Sequence, residues 1–110
     1  MRCVLEQKIV LVTHQRTEIE KFASFFHQDW RYIYDSADKA RADYLKQVGE
    51  RQRQILEREI RAFLLAQSGN GSQAVLKAWC KLGVNNWDPK VQVKPWLNGA
   101  LEVIDLLAQD

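Results

Sequence analysis

Apolar residues recur at helical spacing in five separate stretches of this chain, and polar or glycine-rich turns punctuate them. Ile19, Phe22, Phe25 and Phe26 lie three and four residues apart, which places them on one face of a 3.6-residue period. Thr17 and Glu20 precede that stripe with the spacing of a capping box, so a first helix is expected from Thr17 to about Gln28. Tyr32-Ile33-Tyr34 reads as a short extended stretch. Ser36 then caps a second helix, with Asp38 in its first turn where the helix dipole favours a carboxylate. Ala37, Ala40, Tyr44, Leu45 and Val48 mark its inner face, and Gly49 is the expected stop.

The strongest pattern covers residues 50–67, where Ile55, Leu56, Ile60, Phe63 and Leu64 share a face and charged residues cover the other. Ser68-Gly69-Asn70-Gly71 ends it as a turn. Ser72 is the expected cap of the next helix, with Val75, Leu76, Trp79 and Leu82 as its stripe and Gly83 as its end. After a loop from Val84 to Lys94, Pro95 suits the first turn of a last helix whose inner face is Trp96, Leu97, Ala100, Leu101, Ile104 and Leu107. No later segment matches Ile9-Val10-Leu11-Val12-Thr13 as a strand; Val91-Gln92-Val93 comes nearest. The expected fold is therefore all-α, a compact bundle of about five helices over residues 16–110. Residues 1–15 form an N-terminal extension, either a short strand or an extended arm.

The 110 residues suit one domain, and a 46% hydrophobic, 27% charged composition can bury a core and remain soluble. The net charge of +2 is too mild to suggest a dedicated nucleic-acid binder. Arg51, Arg53, Arg58 and Arg61 cluster on the third helix, but Glu50, Glu57 and Glu59 are interleaved with them, which reads as a solvated or protein-contacting face. No apolar run approaches the roughly 18 residues that span a bilayer, and the expected location is the cytoplasm. Cys3 and Cys80 are the only cysteines. They could pair, yet Cys80 beside Trp79 in an apolar helix reads better as a buried thiol in a reducing compartment.

Candidate chemistry is sparse. His14 and His27 are the only histidines, and neither CxxC nor HxxxH spacing is present, so no metal and no cofactor are expected. A hydrolytic site from Ser24, His27 and Asp29 is disfavoured, because such triads are not assembled from neighbouring residues and no oxyanion loop accompanies them. The structural reading of that junction is preferred: His27 as a hydrogen-bonded core residue, Asp29 as a turn cap and Trp30 as a core plug. Of the four tryptophans, Trp79 and Trp96 lie on core stripes. Trp87 is either a loop lid folded over the core or an exposed interface anchor.

The string Phe25-Phe26-His27-Gln28-Asp29-Trp30, followed by Tyr34-Asp35-Ser36 and a helix, resembles the immunity proteins of contact-dependent growth inhibition. Leu82-Gly83, Trp87-Asp88-Pro89 and Trp96-Leu97 follow in the order that family shows, and the likeness extends over residues 18–107. The first 15 residues have no counterpart in it, and the third helix is richer in arginine than the acidic surfaces associated with the family. The resemblance implies a non-enzymatic protein that binds the C-terminal toxin domain of a neighbouring bacterium, one-to-one, and occludes its active site or another required surface. It also implies that Phe26, His27, Gln28, Asp29 and Trp30 are a structural family motif. A soluble inhibitor suits a toxin with a cytoplasmic target, commonly a nuclease. A basic nuclease groove would be met by acids, which makes Asp35, Asp38, Asp43 and Glu50, with Trp87, the candidate toxin contacts. The alternative is a helical nucleic-acid-binding or regulatory module using the Arg51–Arg61 helix; no membrane or direct nucleic-acid partner is expected under the first reading.

Overall fold

The computed structural model describes residues 16–109. The strand or arm expected within residues 1–15 lies outside them, as do Cys3, His14 and hence any Cys3–Cys80 pairing. Six helices follow in order: α1 (Glu18–Ser24), α2 (Trp30–Ile33), α3 (Ala37–Gln47), α4 (Glu50–Ala66), α5 (Ser72–Lys81) and α6 (Val93–Ala108). There is no strand among the described residues; Val91 lies in a bend and Val93 opens α6 as a buried residue. Five of the six are the helices read from periodicity, and α2 is an added single turn. The helix α6 is the hub, packing against α3, α4 and α5, while α1 packs on α4.

Local chemistry sets several boundaries as expected. The Thr17 hydroxyl accepts from the Glu20 amide at 3.2 Å and the Glu20 carboxylate accepts from the Thr17 amide at 2.8 Å, completing the capping box. Ser36 Oγ accepts from the Lys39 amide at 3.2 Å at the start of α3. Pro95 is the third residue of α6, where its missing N–H has no partner to lose. Gly83 follows α5 with φ +131° and donates to the Cys80 carbonyl at 3.1 Å.

Distant groups set other boundaries. Helix α1 stops at Ser24 and not near Gln28. The Phe26 carbonyl accepts from the Asn85 amide at 3.0 Å, and the Gln28 carbonyl accepts from Asn86 Nδ2 at 3.2 Å, so acceptors that a longer helix would use are taken by a loop far along the chain. Tyr32 and Ile33 are helical rather than extended, because Tyr34 N reaches the Trp30 carbonyl at 2.9 Å; only Tyr34 itself is extended, at φ −120° and ψ 142°. Gly49 does not stop α3. Val48 caps that helix, Gly49 is the N-cap of α4, and Arg53 Nη1 donates to the Leu45 and Val48 carbonyls at 2.9 and 2.6 Å. Ser72 is the first residue of α5 and makes no cap bond; Gly71 holds the cap position. Cys80 is exposed and not buried, since one step round the helix from buried Trp79 turns it by about 100° toward solvent.

The core is unusually aromatic. Phe22, Phe26, Trp30, Trp79 and Trp96 are at most 4% exposed. Phe22 stacks on Trp96 at 5.4 Å and an interplanar angle of 12°. Trp87 meets Trp96 edge-on at 4.9 Å, Phe26 at 5.3 Å and Trp79 at 5.7 Å. Such edge and stacked pairs add about 0.5–1.5 kcal/mol each beyond area burial. All four tryptophans belong to this one cluster, which ties the loop carrying Trp87 to the junction carrying Trp30.

Candidate interaction surface

The Phe26–Trp30 junction has two sides. Phe26 and Trp30 point inward, 5.2 Å apart and nearly perpendicular. The Trp30 indole N–H donates to the Asn86 carbonyl, which locks the junction to the loop after α5. His27, Gln28 and Asp29 are exposed, so the expectation of a core histidine is corrected. His27 Nδ1 accepts from the Asp29 amide at 3.1 Å, a local bond that stabilises the turn. Asp29 occupies the N-cap position of α2 but makes no side-chain cap bond.

The disfavoured triad does not assemble. Ser24 Oγ accepts from Arg16 Nη1 at 2.9 Å and lies against Gly83, while His27 is engaged with the backbone of Asp29 and not with its carboxylate. No group of three or more His, Cys, Asp or Glu among the described residues is arranged to hold a metal.

Beyond the junction, α2 turns two large apolar residues to water: Tyr32 is 90% exposed and Ile33 63%. Gln28, Asp29, Arg31, Tyr32 and Asn86 line a recess of about 460 Å³. Sequence patterning does not single out Arg31, Tyr32 or Ile33, because an extended Tyr-Ile-Tyr segment would bury alternate residues. The signal that could have found them is that Tyr32 and Ile33 belong to neither flanking apolar stripe.

The five candidate contacts fall in different environments. Asp35 pairs with Lys39 at 3.1 Å and remains 85% exposed. Asp38 is exposed, with Arg41 at 3.8 Å. Asp43 accepts from the Tyr34 hydroxyl and, at 2.8 Å, from Gln47 Nε2; this bond to a carboxylate holds the Tyr34 phenol above its usual range. Glu50 is the first residue of α4, beyond the end of α3 at Gln47, and accepts from Gln54 at 3.4 Å. Trp87 is half-buried, and its indole N–H donates to the Val91 carbonyl at 3.0 Å. Asp35 and Asp38 are neighbours in the chain at the start of α3, whereas Glu50 opens α4 and Trp87 belongs to the aromatic cluster.

The arginine helix also divides. Arg53 caps α3 and Arg61 pairs with Glu57 at 3.0 Å. Glu59, expected on a solvated face, accepts from the Ile19 amide at 2.8 Å and so satisfies an orphan donor at the start of α1. Arg51 and Arg58 are exposed, and no ion pair among the described residues engages them.

Among the described residues no helix is long and apolar enough to cross a membrane. The model of a protein family described as CdiI immunity protein matches residues 16–102, from the cap of α1 into α6. No curated protein and no solved structure matches the chain. The matched span takes in the Phe26–Trp30 junction, the loop that pins it and the helices that carry both, and the chain belongs to the CdiI immunity protein family, which neutralises toxins by binding them.

Proposed function

We propose that this protein protects its cell by forming a one-to-one complex with its cognate toxin domain, a nuclease, and covering the active site or a surface that nuclease needs. The observation that carries the reading is the family match over residues 16–102. Asp35, Asp38 and Glu50 present carboxylates to solvent, the groups suited to a basic substrate groove. Asp43 and Trp87 are tied inward and serve the interface by holding Tyr34 and the Val84–Lys94 loop in place. The cytoplasm, where nucleic-acid targets lie, is the proposed site of action.

The test is co-purification with the toxin domain encoded by the neighbouring gene, followed by a nuclease assay on DNA and RNA. Expected are a stable one-to-one complex, cleavage by the free toxin domain, and its suppression at equimolar protein. Failure to bind, or steeply salt-dependent binding of nucleic acid by the protein alone, refutes the proposal.

A further inference from the structure

Helix α2 spends half of its four residues on apolar side chains that the fold does not use. Tyr32 and Ile33 are 90% and 63% exposed and belong to no part of the core. The turn that carries them is nevertheless firmly held. Trp30 is buried and its indole N–H is bonded to the Asn86 carbonyl. Backbone bonds run from Trp30 N to the His27 carbonyl at 3.2 Å, from Tyr32 N to Asp29 at 3.0 Å and from Tyr34 N to Trp30 at 2.9 Å. The Tyr34 hydroxyl is anchored on Asp43. A rigid, exposed aromatic beside a recess loses little entropy on association, and that is the make-up of a binding hot spot.

Charge on this flank points to the occupant. Among the exposed side chains here the carboxylates of Asp29, Asp35 and Asp38 outnumber the cations of Arg31 and Lys39, since Arg41 beside Asp38 is only 13% exposed, and Asp29 has no ion-pair partner among the described residues. Past exposed Glu50 at its start, the outer face of α4 carries Arg51 and Arg58, which no ion pair among the described residues engages. A partner with a basic surface is therefore drawn to α2 in preference to the arginine-bearing face of α4.

We infer that Tyr32 and Ile33 are the apolar anchor of the toxin interface, seated in an apolar recess of the cognate toxin domain that basic side chains border. This inference rests on the toxin-binding function proposed above. From it follows a division of labour within the family motif. Phe26 and Trp30 fix the turn, and the residues just beyond them make the contact.

The experiment is titration calorimetry of the full chain against the inactivated toxin domain encoded beside it. Tyr32→Ala and Ile33→Ala should each weaken binding about 30-fold or more, the range of a hot-spot residue, with melting temperatures near that of the parent. Tyr32→Phe should bind within about threefold of the parent, because the ring supplies the contact area. Leu65→Ala, exposed on α4, should leave affinity unchanged. If the parent protein does not bind, the toxin-binding reading fails and this inference with it. If the parent binds and both alanine variants match it, the inference alone is overturned. It is overturned equally if Leu65→Ala or Arg58→Ala is the variant that weakens the complex.

Discussion

Replacing Gly99 by alanine sets two effects of opposite sign against each other. Gly99 lies inside α6, where alanine is preferred by about 1 kcal/mol on helix propensity. A Cβ at this position would lie 2.6 Å from Arg41 Nη1, 3.2 Å from its Cζ and 3.3 Å from its Nη2. Three atoms of one plane are involved, so the whole guanidinium must move. Arg41 is only 13% exposed, donates to the Trp96 carbonyl at 2.8 Å and lies 5.3 Å from the centroid of the Trp96 ring. Burial already pulls its pKa down, opposed by Asp38 and Glu102, so it depends on these contacts. A hydrogen bond to a charged group is worth about 1.5–3 kcal/mol and the cation–π contact about 0.5–1 kcal/mol. Gly99→Ala should therefore destabilise the protein by about 1–3 kcal/mol, which for a domain of this size lowers Tm by about 4–8 °C per kcal/mol. In an Arg41→Ala background the clash is gone, and the same substitution should stabilise by about 1 kcal/mol. Urea unfolding of the four proteins in this cycle measures both signs. Stabilisation by Gly99→Ala with Arg41 present, or equal effects in the two backgrounds, would refute the reasoning.

Trp30→Ala removes a buried ring and its bond to Asn86, and should cost about 3–5 kcal/mol for the cavity plus about 1 kcal/mol for the bond, a large part of a typical domain's stability. His27→Ala, at an exposed position, should stay within about 1 kcal/mol of the parent; equal losses in denaturant melts would show that His27 is a core residue after all. Gly83→Ala forces φ +131° on an alanine and sets its Cβ 2.6 Å from Ser24 Oγ, so a loss of about 1–3 kcal/mol is expected, and Ser24→Gly should restore only the contact share. An unchanged melting temperature for Gly83→Ala would contradict that strain. Burial, with a smaller contribution from Glu18, pushes the Tyr44 phenol up to about 12. Between about pH 10 and 12 the folded state then holds a proton that the unfolded state has lost, so stability is full below pH 10 and falls by roughly 2–3 kcal/mol as pH rises through that window. Tyr44→Phe should flatten the alkaline slope of urea-unfolding free energies, and a slope equal to the parent's would remove Tyr44 as its source.

The proposed anchor and the aromatic core depend on each other through one loop. Asn85 and Asn86 supply two donors and an acceptor to the Phe26–Trp30 junction, and Trp87 closes over Phe26 and Trp96. Displacing this loop would release α2 as well as expose the core. Substitutions at Asn86 should therefore affect stability and binding together, whereas substitutions at Tyr32 separate them.

The sequence alone determined five of the six helices, the caps at Thr17, Ser36 and Gly83, and the resemblance that led to the family. Those features rest on interactions within about four residues, as in the Thr17–Glu20 box and the stripe from Trp96 to Ile104, and a periodic pattern displays them directly. Tertiary structure decided the rest. Whether α1 continues past Ser24 depends on Asn86, 58 residues beyond the Gln28 carbonyl it occupies. The alternating charges of α4 looked self-neutralising, yet Glu59 is drawn away to α1, 40 residues earlier, and Arg53 to the end of α3, leaving Arg51 and Arg58 to solvent. A side chain's partner across the fold is not encoded in its local period. Tyr32 and Ile33 accordingly emerged as surface residues only once Trp30, beside them in the chain, was fixed in the core.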